Sequence, residues 1–141
     1  MLSFPRLHVY ECAIEFLALA FRILAKLPRG HAGIADQMRR AALSIPLDIA
    51  EGAGRTTKPD AARHGIARGS AMECAAIIDA LVLLNIVDAS EREAALVFLG
   101  RIVAMLTKMR GQGTRIVNVN VAVNLNDLAR TANPYGLPAS L

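Results

Sequence analysis

The sequence DQMRRAALSIPLDIAEG, residues 36–52, is apolar on two opposite sides when it is drawn as a helix. At about 100° per residue, Leu43, Leu47 and Ala50 lie nearly opposite a longer aliphatic stripe, and a polar strip separates the two. A helix in a monomeric bundle needs only one apolar stripe. We therefore expect the second face to be a contact between subunits, unless the fourth helix or the C-terminal tail covers it. The longer stripe, expected in the core, consists of Ile34, Met38, Ala41, Ala42, Ile45 and Ile49.

Apolar residues recur at helical spacing on both sides of this segment. The predicted helices cover residues 7–27, 33–54, 59–87 and 90–110, and Pro or Gly occurs between the first three. Ser90 and Glu93 are spaced as a capping box, and Pro46 is expected to kink the second helix. Short connections favour an all-α, up-and-down four-helix bundle. The other core stripes are predicted as Tyr10, Ile14, Leu17, Phe21 and Leu24; Ile66, Ile77, Leu81 and Leu84; and Leu96, Leu99, Val103 and Leu106.

The C-terminal tail follows a different pattern. Valine or leucine occupies every second position from 117 to 125, which is the period of a β-strand. No second strand is evident, so this segment either pairs with another subunit or a partner's sheet edge, or forms a floppy extension. We expect a bundle domain over residues 1–112 and an extension of possible β character over 113–141.

The composition places the protein in a broad class. The 141 residues carry a net charge of +4, and 13 of the 16 cationic side chains are Arg. Such a surface attracts RNA, DNA or an acidic protein face, although a high-GC coding bias would also enrich Arg. Cys12 and Cys74 lie in apolar helical segments, as reduced buried thiols do. Without an apolar leader or a run of about 18 apolar residues, we expect a cytoplasmic protein that does not span a membrane.

Charged residues on the second and third helices form the candidate sites. Glu73 projects onto the predicted core stripe of the third helix, so it should form a structural ion pair, with Arg39 preferred over Arg40 and Arg63. Arg68 projects away from that stripe, toward solvent or a ligand. Arg55 is four residues after Glu51, a spacing that fits either a surface ion pair or part of a phosphate-binding strip.

Residues for catalysis or metal binding are not grouped in this sequence. His8, His31 and His64 are scattered, and no phosphate loop, dinucleotide fingerprint or nucleophile elbow occurs. We therefore expect no enzyme activity, no metal and no cofactor. Few aromatic residues are present to stack on bases, which disfavours sequence-specific reading of single strands.

Two blocks of the sequence resemble a known family. Residues 36–52 resemble the signature of the four-helix bundle proteins encoded in bacterial ribosomal RNA intervening sequences, and residues 66–73, IARGSAME, resemble that family's second signature. The resemblance implies a ring-like homopentamer and a relationship to the accessory protein of diversity-generating retroelements, which binds nucleic acid and a reverse transcriptase. Asp48 departs from the family's usual Asn, and Ala61, Ala62, His64 and Gly65 replace its common aromatic residues.

From the residues and the resemblance together, we expect an oligomeric nucleic-acid-binding accessory protein. Its candidate contacts to RNA or DNA phosphates are Arg39, Arg40, Arg55 and Arg68, and its candidate subunit contacts are Leu43, Leu47 and Ala50. The alternative is an adaptor for a reverse transcriptase or another protein, which would use the tail or a ring surface.

Overall fold

The computed structural model describes residues 4–53 and 59–110, which form four helices. The helices are α1 (Phe4–Leu24), α2 (Ala32–Ala53), α3 (Pro59–Leu83) and α4 (Ala89–Arg110). Within the described part, each helix packs against two others, in the cyclic order α1, α2, α3, α4. The predicted all-α four-helix bundle is confirmed, and the predicted C-terminal extension lies outside the described residues. α2 continues through Pro46, which is buried.

Short capped turns join α1 to α2 and α3 to α4. Gly30 has a φ of 100° in the first turn, a value that favours glycine. Asn85, with a φ of 56°, ends α3, and the amide of Ile86 donates to the carbonyl of Leu81 at 3.0 Å. This hydrogen bond is part of a Schellman-type cap, which satisfies carbonyls at the end of the helix.

The capping box of α4 lies two residues before its predicted position. The amide of Glu91 donates to Asp88 Oδ1 at 2.8 Å, and the amide of Asp88 donates to Glu91 Oε1 at 3.4 Å. The predicted Ser90–Glu93 box was therefore wrong. Asp88 is also a good capping residue, and it comes first after the turn.

The predicted core stripes of α2 and α4 are confirmed. In α2 the stripe is buried except for Ile34, which is partly exposed, and in α4 all four predicted residues are buried. In α2 the buried stripe lies opposite polar residues and the second apolar face, whereas α4 also exposes Val97. Periodicity therefore identified the inward side of these two helices.

The predicted stripe of α1 was wrong at two of its five positions. Leu24 is buried, and Tyr10 and Leu17 pack against the core, whereas Ile14 is 41% exposed and Phe21 is 45% exposed. α1 is apolar around most of its circumference, so large residues occur on both its inward and its outward side. Small residues also pack inward, where they allow neighbouring helices to approach closely. The buried residues of α1 are Val9, Cys12, Ala13, Phe16, Leu19, Ala20, Ile23 and Leu24.

The predicted stripe of α3 was wrong at two of its four positions. Leu81 is buried and Ile77 packs against the core as expected, but Ile66 is 49% exposed and Leu84, just beyond the helix end, is 48% exposed. The inward face again consists mainly of small residues, namely Ala67, Ala71, Cys74, Ala75, Ile78 and Leu81. Among the four helices, none combines the length and apolarity that a membrane crossing needs.

Candidate assembly and nucleic-acid interface

The second apolar face of α2 points out of the bundle. Leu43 is 44% exposed and Leu47 is 56% exposed, and Ala50, one turn further along, is exposed as well. No described element of the same chain covers this face. Exposed leucines clustered on one helix face are typical of a surface that meets a partner.

The four arginines predicted to bind phosphate are not brought together. Arg39 is exposed and bound to Asp36 at 3.1 Å, whereas Arg40 is exposed and forms no ion pair with a described residue. Arg68 is partly buried, and its Nε has no hydrogen-bond acceptor within the described part of the chain. Arg55 lies outside the described residues.

A polar network joins α2 to α3. Ser44 Oγ donates to Asp48 Oδ2 at 2.7 Å and is 2.9 Å from Ser70 Oγ. Arg63 Nη1 lies 3.2 Å from Asp48 Oδ1 and also 3.2 Å from Glu51 Oε2. Asp48 is buried, and its carboxylate has partners on both helices. A buried carboxylate needs such partners, since its desolvation is costly.

α2 and α3 approach each other closely at Gly52. A Cβ atom added there would lie 3.3 Å from Arg63 Cβ and 3.3 Å from His64 Nε2. Gly52 is the last residue of the first sequence block, so this end of the block serves close packing between helices. By contrast, Gly69 is exposed and has open space around the position of a Cβ.

The predicted ion pair between Glu73 and Arg39 was wrong. Glu73 is exposed and forms no ion pair with any described residue, while Arg39 is bound to Asp36. The error follows from the misplaced stripe of α3, because the true inward face carries small residues. Glu73 therefore lies on the outer side of the helix and needs no buried partner.

The most buried ion pair of the described residues was not predicted from the sequence. Arg92 Nε donates to Asp79 Oδ1 at 2.9 Å across the α3–α4 interface, and their side chains are 2% and 10% exposed. A signal was present, because Asp79 interrupts a long apolar run and a charge there requires a partner. Arg68 precedes Asp79 by eleven residues, about three turns, so it lies on the same α4-facing side.

Both thiols are buried and free, as predicted. Burial, helped by the nearby Glu73 carboxylate, raises the pKa of Cys74 to about 12, and burial also raises the pKa of Cys12. A thiol with so high a pKa stays protonated near neutral pH and is a poor nucleophile. Residues 4–53 and 59–110 contain no cluster of His, Cys, Asp or Glu that could hold a metal ion.

The outer side of α4 carries two cations that were not among the predicted phosphate contacts. Arg101 and Lys108 are both exposed, and neither forms an ion pair with a described residue. Seven residues, about two helical turns, separate them, so both project from the same side of the helix. Ion pairs elsewhere engage Lys26, Arg39, Arg63 and Arg92 with carboxylates.

Comparison with known proteins identifies the family. Residues 5–108, which include nearly all of the four helices, match the family described as 23S rRNA-intervening sequence protein. No curated protein shows significant similarity to the chain. Both blocks that suggested the resemblance lie within the matched range, and the match extends over well more than half of the chain. The chain therefore belongs to the 23S rRNA-intervening sequence protein family.

Proposed function

We propose that the protein is a non-catalytic, homo-oligomeric accessory protein that binds nucleic acid, with RNA as the first candidate ligand. The observation that carries this proposal is the outward apolar face of α2, where Leu43 and Leu47 are 44% and 56% exposed. Burial of this face against other copies would remove apolar surface from water, which favours association. The family resemblance favours a ring of five subunits.

The charge distribution supports a polyanionic ligand. The chain carries a net charge of +4, and the outer side of α4 offers Arg101 and Lys108 without carboxylate partners in the described part. We assign the phosphate contacts first to these two residues, because Arg39 is already bound to Asp36, Arg68 is partly buried, and Arg40 adjoins the apolar face assigned to self-association. Repetition of a weak two-cation contact around an oligomer multiplies its strength through avidity.

The absence of catalysis is part of the proposal. The two buried carboxylates of the described residues, Asp48 and Asp79, are each bound by an arginine. Such pairing occupies carboxylate oxygen atoms that would otherwise be available to a substrate. The buried Cys74, with a pKa of about 12, is also unsuited to nucleophilic attack.

The test is fluorescence anisotropy with labelled RNA and, in parallel, duplex DNA, titrated at several salt concentrations. We expect the affinity to fall steeply as salt rises, because bound phosphates release counterions. Replacement of Arg101 and Lys108 together by Gln should weaken binding and lower the slope of log K against log salt by about two for each protein unit that contacts the ligand.

The matched control replaces Arg22 and Arg29 by Gln. These two residues are also exposed, and the double variant loses the same charge from a different part of the surface. It should keep the wild-type slope. Light scattering on each variant confirms that the subunit count is unchanged. No RNA or DNA binding even at low salt would disprove the nucleic-acid role.

A second candidate is an adaptor for another protein, such as a reverse transcriptase. The observation that favours it is a second apolar surface on α1, where Leu7, Ile14 and Phe21 are each more than 40% exposed. Phosphate binding does not use such a surface, whereas a protein partner would. If the tail is the docking segment, deletion of residues 114–141 should abolish capture of the partner and leave the helical circular dichroism unchanged. Capture that survives the deletion would assign docking to the bundle instead.

A further inference from the structure

Two opposite charges lie at one level on the outer side of α2 and α3. The Ser44 and Ser70 hydroxyl oxygens, 2.9 Å apart, fix the relative height of these antiparallel neighbours. Arg40 precedes Ser44 by four residues and Glu73 follows Ser70 by three, so both lie about one turn from the contact in the same direction. Both are exposed, and neither forms an ion pair with a described residue.

The surface around these two charges is apolar. Leu43 and Leu47 on α2 are 44% and 56% exposed, and Ile66 on α3, seven residues before Glu73 and on the same side of the helix, is 49% exposed. A face that combines leucine-sized side chains with one cation and one anion is complementary to a second copy of itself. Other charges near this face differ from Arg40 and Glu73 because they are paired within the chain, as Arg39 is with Asp36.

We propose that Arg40 of one copy binds Glu73 of a second copy, with α2 of the first packed against α3 of the second. This inference rests on the self-association stated under Proposed function and names the residues that set its register. A two-fold dimer would make the contact twice, and a ring would make it once at each interface. Both arrangements require only that α2 of one copy face α3 of another at the level of the serine contact.

The apolar surroundings determine how strongly this ion pair acts. When leucine and isoleucine side chains from two copies exclude water, an ion pair between them strengthens and an unmatched charge becomes costly. The apolar contacts then provide most of the affinity. The ion pair fixes how the two copies align and disfavours alignments that bring like charges together.

The test is charge reversal and its rescue in the full-length protein. Arg40→Glu and Glu73→Arg are made singly and together, and the subunit mass is measured over a range of concentrations by sedimentation and light scattering. Each single reversal should raise the dissociation constant by about tenfold or more. The double variant restores opposite charges across the contact and should assemble nearly as well as the wild type.

Matched controls reverse exposed charges away from this face. Arg29→Glu lies in the turn between α1 and α2, and Glu93→Arg lies on α4, and both positions are exposed. Each carries the same change in charge as one of the test variants and should leave the subunit mass unchanged. Circular dichroism verifies the fold of every variant, and the milder Arg40→Gln and Glu73→Gln replace any reversal that does not fold.

The outcomes separate this inference from the proposal beneath it. A wild-type protein that is monomeric at tens of micromolar would disprove the self-association itself. A wild-type oligomer whose single reversals behave like the controls would overturn only the Arg40–Glu73 contact. Single reversals that weaken assembly without rescue in the double variant would also overturn it, because the two residues would then meet other groups. A change in thermal stability without a change in mass would place the pair within one chain, and this result would overturn it too.

Discussion

α3 is attached to its two neighbours by arginine–carboxylate contacts of different kinds. Toward α4, the Arg92 and Asp79 side chains are 2% and 10% exposed and meet at 2.9 Å. Toward α2, the Arg63 side chain is 35% exposed and shared between Asp48 and Glu51, at 3.2 Å from each. The first contact is almost dry, and the second is open to water on one side.

This difference implies different sources of stability. In the dry contact each charge depends on the other, so loss of one leaves a buried ion without compensation. In the wet contact, water and Ser44 take over part of the role of a lost partner. The α2–α3 interface should therefore depend more on shape than on charge, through the close approach at Gly52 and the contact between two serines.

The largest expected effect comes from Arg92→Met. This change leaves the Asp79 carboxylate buried without its cation, which should lower the free energy of unfolding by about 3–5 kcal/mol. Chemical denaturation followed by circular dichroism measures the loss. Combining Arg92→Met with Asp79→Leu should recover most of it, because an apolar pair of similar volume replaces the ion pair. A loss below about 1 kcal/mol would show that the contact is not dry in solution.

An intermediate effect is expected from Gly52→Leu. A side chain at this position meets Arg63 and His64 at once and must push α2 and α3 apart, at a cost of about 1–3 kcal/mol. The matched control is Gly69→Leu, because Gly69 is in the interior of α3 with open space around the Cβ position. The control should gain up to about 1 kcal/mol from helix propensity. If the two substitutions had equal effects, close packing at Gly52 would not contribute to the stability of the α2–α3 interface.

The smallest effect is expected from Arg63→Met. Asp48 is buried but keeps its hydrogen bond from Ser44, and the Arg63 side chain that is removed is itself 35% exposed, so the loss should be only about 1 kcal/mol. The same denaturation experiment measures it beside Arg92→Met. If the two losses were equal, the arginine–carboxylate contacts on the two sides of α3 would contribute equally to the free energy of unfolding.

The fold was predictable where polarity alternates clearly around a helix. α2 and α4 combine apolar and charged residues at helical spacing, so their inward sides could be assigned from the sequence. α1 and α3 are apolar or small around much of their circumference, and four of the nine large residues chosen for their stripes are exposed, namely Ile14, Phe21, Ile66 and Leu84. Alanines fill part of the inward side of these helices, where they permit close approach, but Ala18, Ala62 and Ala76 are exposed, so residue size alone does not identify that side.

The candidate site was predictable in part for a related reason. The outward position of Leu43 and Leu47 followed from two opposed apolar faces on one helix, and the structure leaves both residues exposed. The partners of charged residues did not follow, because an ion pair between helices depends on the rotation of both. Asp48 and Asp79 each form an ion pair with an arginine on a neighbouring helix. The spacing of residues along one helix does not indicate these pairs.

The orientation of α1 has a consequence for how this protein can change. Leu7, Ile14 and Phe21 face outward, whereas a separate set of residues, with Phe16 and Ile23 among them, fills the interior. Substitutions at the outward positions do not change the packing of the core. The residues at these positions can therefore vary to suit the molecule that the helix binds. One interior can in this way carry different outer surfaces, and an engineer can redirect the protein by replacing three side chains.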